Sequence, residues 1–456
     1  MAAIPGELDT DGGPPMAIPL RHFVVGFGFL LAGVGAGLLA TLGVTPGLSR
    51  LAHVHLLLAG WVCITILGAM TQFVPVWSGV ALHSRRLANV SLLLVTVGIA
   101  GMAGAFATTS FHWIHGFGGL AVVGFWLFAY NLGRTLLRAR PLDVTERHFA
   151  WALGFFVAVT TLGFLLALDF TLPVTAELGV TRTGLRGAHV TLAVFGAVLT
   201  TVVGALYQLA TMFTGTSLHG LDRPLQRVET VGYPVGVLAL AAGRLVGARW
   251  LAQVGGLLVA VGLLAVAVVL ARRLQETQHD WTPMLERYAV VAATLAVWAA
   301  FALPAWLVDP LSPAALFGAP GSVHLLTLGV VGFVVAGTLY HVVPFVVWVH
   351  RYSDRLGFEP VPMIDDLYDA RVARADFLAL LVGSGVLALG DAVALPVPVL
   401  ALGGALATLG AVLFVANLLY TVHDHAPQPL AVVVLGSLAT RGQWGDHSSP
   451  ENDRAD

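Results

Sequence analysis

Histidines border one of the long apolar segments of this chain. The stretch HVHLLLAGWVCITILGAMTQFVPVWSG, residues 53–79, opens with two of them, His53 and His55. Imidazole is a ligand of iron, copper and zinc, and polar side chains at the border of an apolar segment are usually retained for a purpose. These histidines are therefore candidates for holding a metal or a metal-containing cofactor. A structural hydrogen bond between helices is the alternative for any one of them.

A similar pattern occurs three times along the chain. The three stretches read HVHLLLAGWVCITILGAMTQFVP from residue 53, HVTLAVFGAVLTTVVGALYQLAT from residue 189 and SVHLLTLGVVGFVVAGTLYHVVP from residue 322. Each contains two glycines eight residues apart, a spacing that lets another helix or a flat ligand approach the backbone. Aligned on these glycines, the matched positions are His53, His189 and Ser322 and, two residues later, His55, Thr191 and His324. An internal repeat predicts that matched side chains lie at similar depths.

The type of cofactor follows from what surrounds these histidines in the sequence. Residues i and i+2 of a helix are about 200° apart, so His53 and His55 cannot face the same site. A bare zinc ion would recruit carboxylates or thiolates, but Cys63 is the only cysteine and no Asp or Glu lies at the level of the histidines. Haem iron takes one axial histidine from each side of a planar, apolar macrocycle. The sequence therefore favours haem over zinc.

His112 and His115, in FHWIHGFGG, form a separate pair. They are three residues apart and share one face at the start of a predicted helix. They are secondary candidates for ligating a metal or a second haem. Hydrogen bonding at the membrane interface beside Trp113 is the alternative.

The composition predicts an integral membrane protein. Of the 456 residues 57% are hydrophobic and 11% charged, with a mean hydropathy of +0.85, which is more apolar surface than a soluble core would bury. A helix of about 20 apolar residues spans the roughly 30 Å of hydrocarbon. We expect an all-α fold of twelve transmembrane helices, near residues 20–44, 52–78, 87–108, 113–138, 148–170, 186–213, 228–246, 250–271, 287–307, 321–349, 375–391 and 395–421.

Twelve helices and a pattern repeated every fourth helix predict three four-helix units within one membrane domain. The expected ranges are about 20–138, 148–271 and 287–421 for the units, 20–425 for the whole domain, and 1–19 and 426–456 for two polar tails. All 23 basic residues are arginines, and most follow even-numbered helices. This bias places both termini in the cytoplasm of a multi-pass protein of the cell membrane. The first helix is preceded by an acidic segment, so we expect no cleaved signal peptide.

Arginines near the predicted outer helix ends are candidates for binding the propionates of a haem, because guanidinium groups pair with carboxylates through two hydrogen bonds. The candidates are Arg50, Arg186, Arg244 and Arg249. For each arginine the alternative is that its guanidinium group simply extends into the membrane–water interface.

The repeated pattern resembles the haem-copper oxidase subunit I superfamily, in which twelve helices form three four-helix arcs. The likeness covers most of the predicted helices and is sharpest in VHLLTLGVVGFVVAG. It implies a low-spin, bis-histidine haem of b type held by His53 and His324, with His55 as the substitute, and it places His189 near a copper ligand. It departs at Ser322, where the family has its high-spin haem ligand, and in VGYPVGVLALAAG, which has no copper-binding histidines. The copper site is thus incomplete: copper binding, with His189 as a remnant ligand, stays an open alternative, and oxygen reduction with proton pumping is not implied.

The stretch from His53 to Gly79 also resembles the NnrS-type membrane proteins, haem and copper proteins linked to nitric oxide metabolism. Both resemblances imply haem through the same residues. The first hypothesis is an oxidase-like haem protein in electron transfer or in the response to O2 or NO, within a lipid bilayer and without a nucleic-acid partner. A cytochrome, a copper protein or a second subunit is the implied electron partner.

Two other functions stay open. One is a respiratory reductase of oxygen or nitric oxide, completed by another subunit. The other is a transporter or structural protein whose histidines bond between helices, although the sequence places no ionisable residue at mid-membrane as transporters commonly do. Whether the protein is an enzyme is left undecided by these alternatives.

Overall fold

The computed structural model describes residues 15–435, and within them the chain is built from α-helices without β-strands. The predicted tails lie largely outside this range. Twelve long helices account for most of it: α1 Ala17–Thr41, α2 Ser49–Ser78, α3 Arg85–Thr108, α4 Phe111–Leu136, α5 Val144–Leu168, α6 Arg182–Thr214, α7 Asp222–Val246, α8 Arg249–Gln275, α9 Pro283–Val308, α10 Leu325–Arg351, α11 Ala370–Ala392 and α12 Val397–His425.

Eleven of these helices in the described range are long and apolar enough to cross a membrane, so the expected all-α, multi-pass membrane protein is confirmed. The exception is α7. It begins at Asp222, ahead of the predicted start at 228, and its first turns carry Arg223, Arg227 and Glu229. These charges lower its hydropathy, and a count of twelve spans stays a prediction.

Helices α2, α6 and α10 lie in the interior of the helix assembly. In the apolar windows of α6 and α10, 83% and 78% of residues are buried, against 28% in α11 and 33% in α1. The three helices meet around a small cavity of about 70 Å³, together with single residues of α5 and α9. Helix α12 packs against α1, so the first and last helices are neighbours. The segments that carry the repeated pattern are therefore among the most buried of the long helices, α8 being as buried as α2 at 61%.

Local sequence signals set the helix ends. Asp143 accepts the backbone N–H of Glu146 at the start of α5, and the Glu146 side chain returns the contact, which forms a capping box. Helices α6 and α7 end at Gly215 and Gly247, whose φ angles of 64° and 72° are left-handed. A side chain at these two positions would be strained, so glycine stops both helices there.

Charged side chains are also buried inside the helices, which the sequence analysis did not anticipate. Asp376 of α11 pairs with Arg287 of α9, and both side chains are fully buried. Tyr340 of α10 also donates to Asp376. Glu229 of α7 accepts hydrogen bonds from His148 at 3.0 Å and from Tyr207 at 2.9 Å.

The sequence analysis expects no ionisable residue at mid-membrane, and Glu229 and Asp376 lie nearer the helix ends, about two turns from the starts of α7 and α11. Their partners come from other helices, far away in sequence. Burial of these charges is tolerated because each is paired and hydrogen-bonded.

We predict that Arg287→Met destabilises the protein strongly, because it leaves Asp376 buried without its cationic partner. The free energy of unfolding should fall by about 3–5 kcal/mol. The matched control is Arg374→Met, which removes an exposed pair with Glu286 between the same two helices and should cost about 1 kcal/mol or less. Thermal unfolding in detergent, followed by tryptophan fluorescence, compares them. Equal shifts for the two variants would contradict the prediction.

Candidate functional site

The helix end at which α2, α6 and α10 begin, called here the histidine end, carries a shared irregularity. Each helix contains a π-helical segment there: His55–Cys63 in α2, Leu192–Val198 in α6 and Leu325–Gly332 in α10. The π-helix is rare and is frequently found at functional sites. The three segments begin at His55, three residues after His189 and one residue after His324. The backbone is thus wound differently beside every candidate histidine of these helices.

His53 of α2 and His324, the residue before α10, lie near each other. The Nδ1 of His53 donates to the carbonyl of Gly33 in α1 at 2.8 Å. The Nδ1 of His324 contacts the Asp391 carboxylate of α11 at 2.9 Å, and the His324 backbone N–H donates to the same carboxylate at 2.8 Å. Both rings are half-buried.

His55 and His189 form a second pair, between α2 and α6. The Nδ1 of His55 donates to the carbonyl of Leu51 at 2.8 Å, and that of His189 donates to the carbonyl of Val159 in α5 at 3.0 Å. Both rings line one cavity of about 270 Å³, and a charge on His55 acts on His189. His53 and His55 therefore point to opposite sides of α2, as their spacing requires.

The hydrogen bonds fix which ring nitrogen of each histidine is free. A carbonyl oxygen can only accept, so the Nδ1 atoms of His53, His55 and His189 carry the proton. A neutral His324 likewise donates from Nδ1 to the carboxylate. In each neutral ring Nε2 then holds an unshared electron pair, which is the arrangement of a metal-ligating imidazole with its second nitrogen anchored.

Two glycines make room for the rings. A Cβ at Gly37 of α1 would lie 2.5 Å from the His53 ring, and one at Gly163 of α5 would lie 2.8 Å from the His189 ring. Both distances are shorter than a real side chain allows. His53 and His189, which match in the sequence alignment, thus also match in their surroundings: each packs on a glycine and donates to a carbonyl of the preceding helix.

The remaining matched positions, Thr191 of α6 and Ser322 before α10, are held differently. Arg244 donates to the Thr191 hydroxyl at 2.8 Å and lies over the ring of Trp306, 5.5 Å from its centre. It also donates to three backbone carbonyls, those of Pro310, Ala315 and Leu316. The Ser322 hydroxyl donates to the carbonyl of Ala319 at 2.7 Å. Between α6 and α10 the matched positions thus hold no histidine pair, and a buried arginine bonds to Thr191 instead.

The other predicted arginines lie on the surface of the histidine end. Arg50 is exposed in the first turn of α2, and Arg249 is exposed and donates to the carbonyl of Val308. Arg186 is exposed and lines the cavity of His55 and His189. Arg244, by contrast, is buried and donates four hydrogen bonds to protein oxygens, so most of its donors are used within the protein.

Arg182, which was not among the predicted propionate ligands, also lines the cavity. It pairs with Asp169 at the end of α5 and lies over the Phe170 ring at 4.6 Å. Hydrogen bonds from the backbone and hydroxyl of Thr175, together with Arg182, hold the pKa of Asp169 below its ordinary value. Asp169 therefore stays ionised and Arg182 stays paired, which leaves Arg186 as the less engaged cation at the mouth.

His112 and His115 are not brought to either pair. Both are exposed at the start of α4, and the His112 ring meets Trp113 edge-on, with ring centres 5.1 Å apart. Neither lines the cavity of His55 and His189. Their placement agrees with the alternative of an interfacial role.

Comparison with known proteins gives no family: neither the protein-family models nor the curated proteins contain a match. Within residues 15–435 no group of three His, Cys, Asp or Glu side chains is placed to hold a metal ion. The two histidine pairs therefore offer two protein ligands each. That number suits a cofactor that brings its own equatorial ligands.

Asp391 is the site residue that sequence reasoning missed, and its contact with His324 shows that the expectation of no Asp or Glu at the level of the histidines is wrong. The sequence shows only an acidic residue near the end of a helix, 67 positions from His324. Nothing in the local pattern indicates the pairing. A carboxylate that holds the second nitrogen of a ligating histidine is a recurrent element of metal sites, and its loss is costly.

We predict that Arg244→Met lowers stability with or without a cofactor, because three carbonyls and Thr191 lose their donor. Each carbonyl left unsatisfied costs about 1–3 kcal/mol. Arg249→Met, at the exposed start of α8, is the matched control and should change the melting temperature little. Thermal unfolding of both variants checks this. If Arg244→Met unfolds like the parent protein, the structural role is excluded.

Proposed function

We propose that this protein is a haem-binding membrane protein, with one low-spin haem of b type held between His53 and His324. The observation that carries the proposal is that two neighbouring histidines, in α2 and at the start of α10, both have Nδ1 anchored, by Gly33 and by Asp391, which leaves Nε2 as the ligand atom. The fit is supported by Gly37, where any side chain would collide with the His53 ring. Arg50, one turn before His53, is the proposed propionate partner.

We further propose that the twelve long helices are three related four-helix units, with both termini in the cytoplasm of the cell membrane. Matched contacts support the repeat. Asn131 of α4 holds Ser84 at the start of α3 through two hydrogen bonds, and Asn417 of α12 holds Asp369 at the start of α11 in the same way. The orientation rests on the arginine bias of the loops.

A haem held in this way supplies one-electron redox chemistry, and with imidazole on both faces it has no open position for a gas. The His324 side chain is 30% exposed, so the site lies near the surface of the histidine end, within reach of an external electron partner. This favours electron transfer with a cytochrome, a copper protein or a second subunit. The residues offer no set of histidines that would complete a copper site in the described range.

The two ligands are held with different strength. His324 is fixed by a carboxylate through both its ring and its backbone, whereas His53 is fixed by one neutral carbonyl. His53 is therefore the ligand that can leave more easily. A response to O2 or NO would use that exchange, because it opens one side of the iron.

The first test is the optical spectrum of the purified protein, made with ample haem supply and recorded oxidised and dithionite-reduced. We expect a Soret band and sharp reduced α and β bands, with iron measured on the same sample. His324→Ala and His53→Ala should each lower the amount of six-coordinate haem, whereas His112→Ala, exposed on the same end, should not. Protein without haem, or spectra that no variant alters, would refute the proposal.

A second prediction concerns Asp391. Asp391→Asn removes the charge behind His324 and weakens it as a ligand, so affinity for haemin should fall about 10–100-fold, the usual effect of losing such a partner. The midpoint potential of the remaining haem should rise, because the carboxylate favours the ferric form. Asp309→Asn is the control, since Asp309 also ends a helix at the histidine end but contacts only the backbone of Leu311. Equal affinities and potentials for the two variants would contradict the role of Asp391.

A further inference from the structure

The second histidine pair lies on the opposite face of α2 from the proposed haem. His55 and His189 belong to α2 and α6, whereas His53 and His324 belong to α2 and α10. In the alignment of the three stretches, His53 and His189 occupy the first matched position, and His55 and His324 occupy the second. Each pair therefore joins one residue of the first position to one of the second: His53 to His324, and His189 to His55. The two pairs are thus equivalent contacts of successive units, and α2 contributes to both.

We propose that His55 and His189 hold a second haem, between α2 and α6. The proposal goes beyond the site of His53 and His324 and does not require that site to be correct. Its basis is the geometry of the pair: both rings line the same cavity, and both carry their proton on an Nδ1 atom bonded to a carbonyl. Each therefore presents Nε2 as a ligand atom.

The cavity itself favours a macrocycle over a bare ion. Its volume of about 270 Å³ is near the lower end of small-molecule sites, which run from about 300 to 1,000 Å³, and is far larger than an ion needs. It extends along α2 from Leu51 to Cys63. The deep part is apolar, with Phe125, Phe156 and Val198 among its walls.

The charges at the cavity match the shape of a haem, which has an apolar edge and an edge with two carboxylates. Arg182 and Arg186 both line it on the side where α6 begins. Asp169 already binds Arg182, so Arg186 is the proposed partner of a propionate. With only two histidines and a thiol facing the cavity, a bare metal ion would lack the ligands for a closed site.

Space for the His189 ring is provided by Gly163, since a Cβ there would lie 2.8 Å from the ring. Gly154, on the same helix, has nothing within 4 Å of its would-be Cβ. This gives a matched pair of substitutions. Gly163→Leu should displace the His189 ring without removing it, and Gly154→Leu should leave the pair intact.

The test is the number of haems per chain, from pyridine haemochrome and protein assay, for protein produced with ample haem. We expect two per chain in the parent and one in His55→Ala, His189→Ala and Gly163→Leu, with Gly154→Leu and His115→Ala unchanged. Exogenous imidazole added to His189→Gly should restore the lost six-coordinate signal. If His189→Ala does not fold, Gly163→Leu and His55→Ala still decide.

The outcomes separate the two sites. One haem per chain that is lost in His324→Ala and retained in His55→Ala and Gly163→Leu would overturn the second site and keep the first. One haem that is lost in His55→Ala and His189→Ala but retained in His324→Ala would establish the second site and overturn the first. Protein without haem overturns both.

Discussion

Residues two apart on a helix point in nearly opposite directions, and α2 carries a histidine at each of two such positions. The rest of the histidine end follows from this constraint. His53 must turn towards α1 and α10, and His55 towards α6, because one site cannot receive both. Each then meets a single histidine of a neighbouring helix, His324 or His189. One helix therefore serves two pairs, and the two pairs are separated by its width, about 10 Å.

The neighbouring helices are adapted to these rings. Glycine stands where a Cβ would strike an imidazole, at Gly37 and Gly163, and a backbone carbonyl one helical turn earlier takes the Nδ1 proton, at Gly33 and Val159. The π-helical segments of α2, α6 and α10 begin at His55, three residues after His189 and one residue after His324. Between α6 and α10, where no histidine pair is present, Arg244 is buried and donates to the Thr191 hydroxyl and to three backbone carbonyls.

The buried charges away from the histidine end behave differently. Glu229 and Asp376 are each met by a cation or imidazole and a tyrosine hydroxyl, so their hydrogen-bonding capacity is used within the protein. This is the arrangement expected of groups that hold helices in register. Among residues 15–435 the histidine pairs instead have no hydrogen-bond partner at Nε2, which leaves that atom available to a cofactor.

The sequence by itself determined the class of the protein and the residues of interest: its apolar runs give the membrane helices, and the repeated pattern singles out His53, His55, His189 and His324. Both depend on local periodicity, which the chain carries wherever it folds. Only the tertiary structure decided how the histidines pair, that Asp391 anchors His324, and that Arg244 is buried against Thr191 and three backbone carbonyls. These contacts join residues tens of positions apart, and helix packing, which no local pattern records, brings them together.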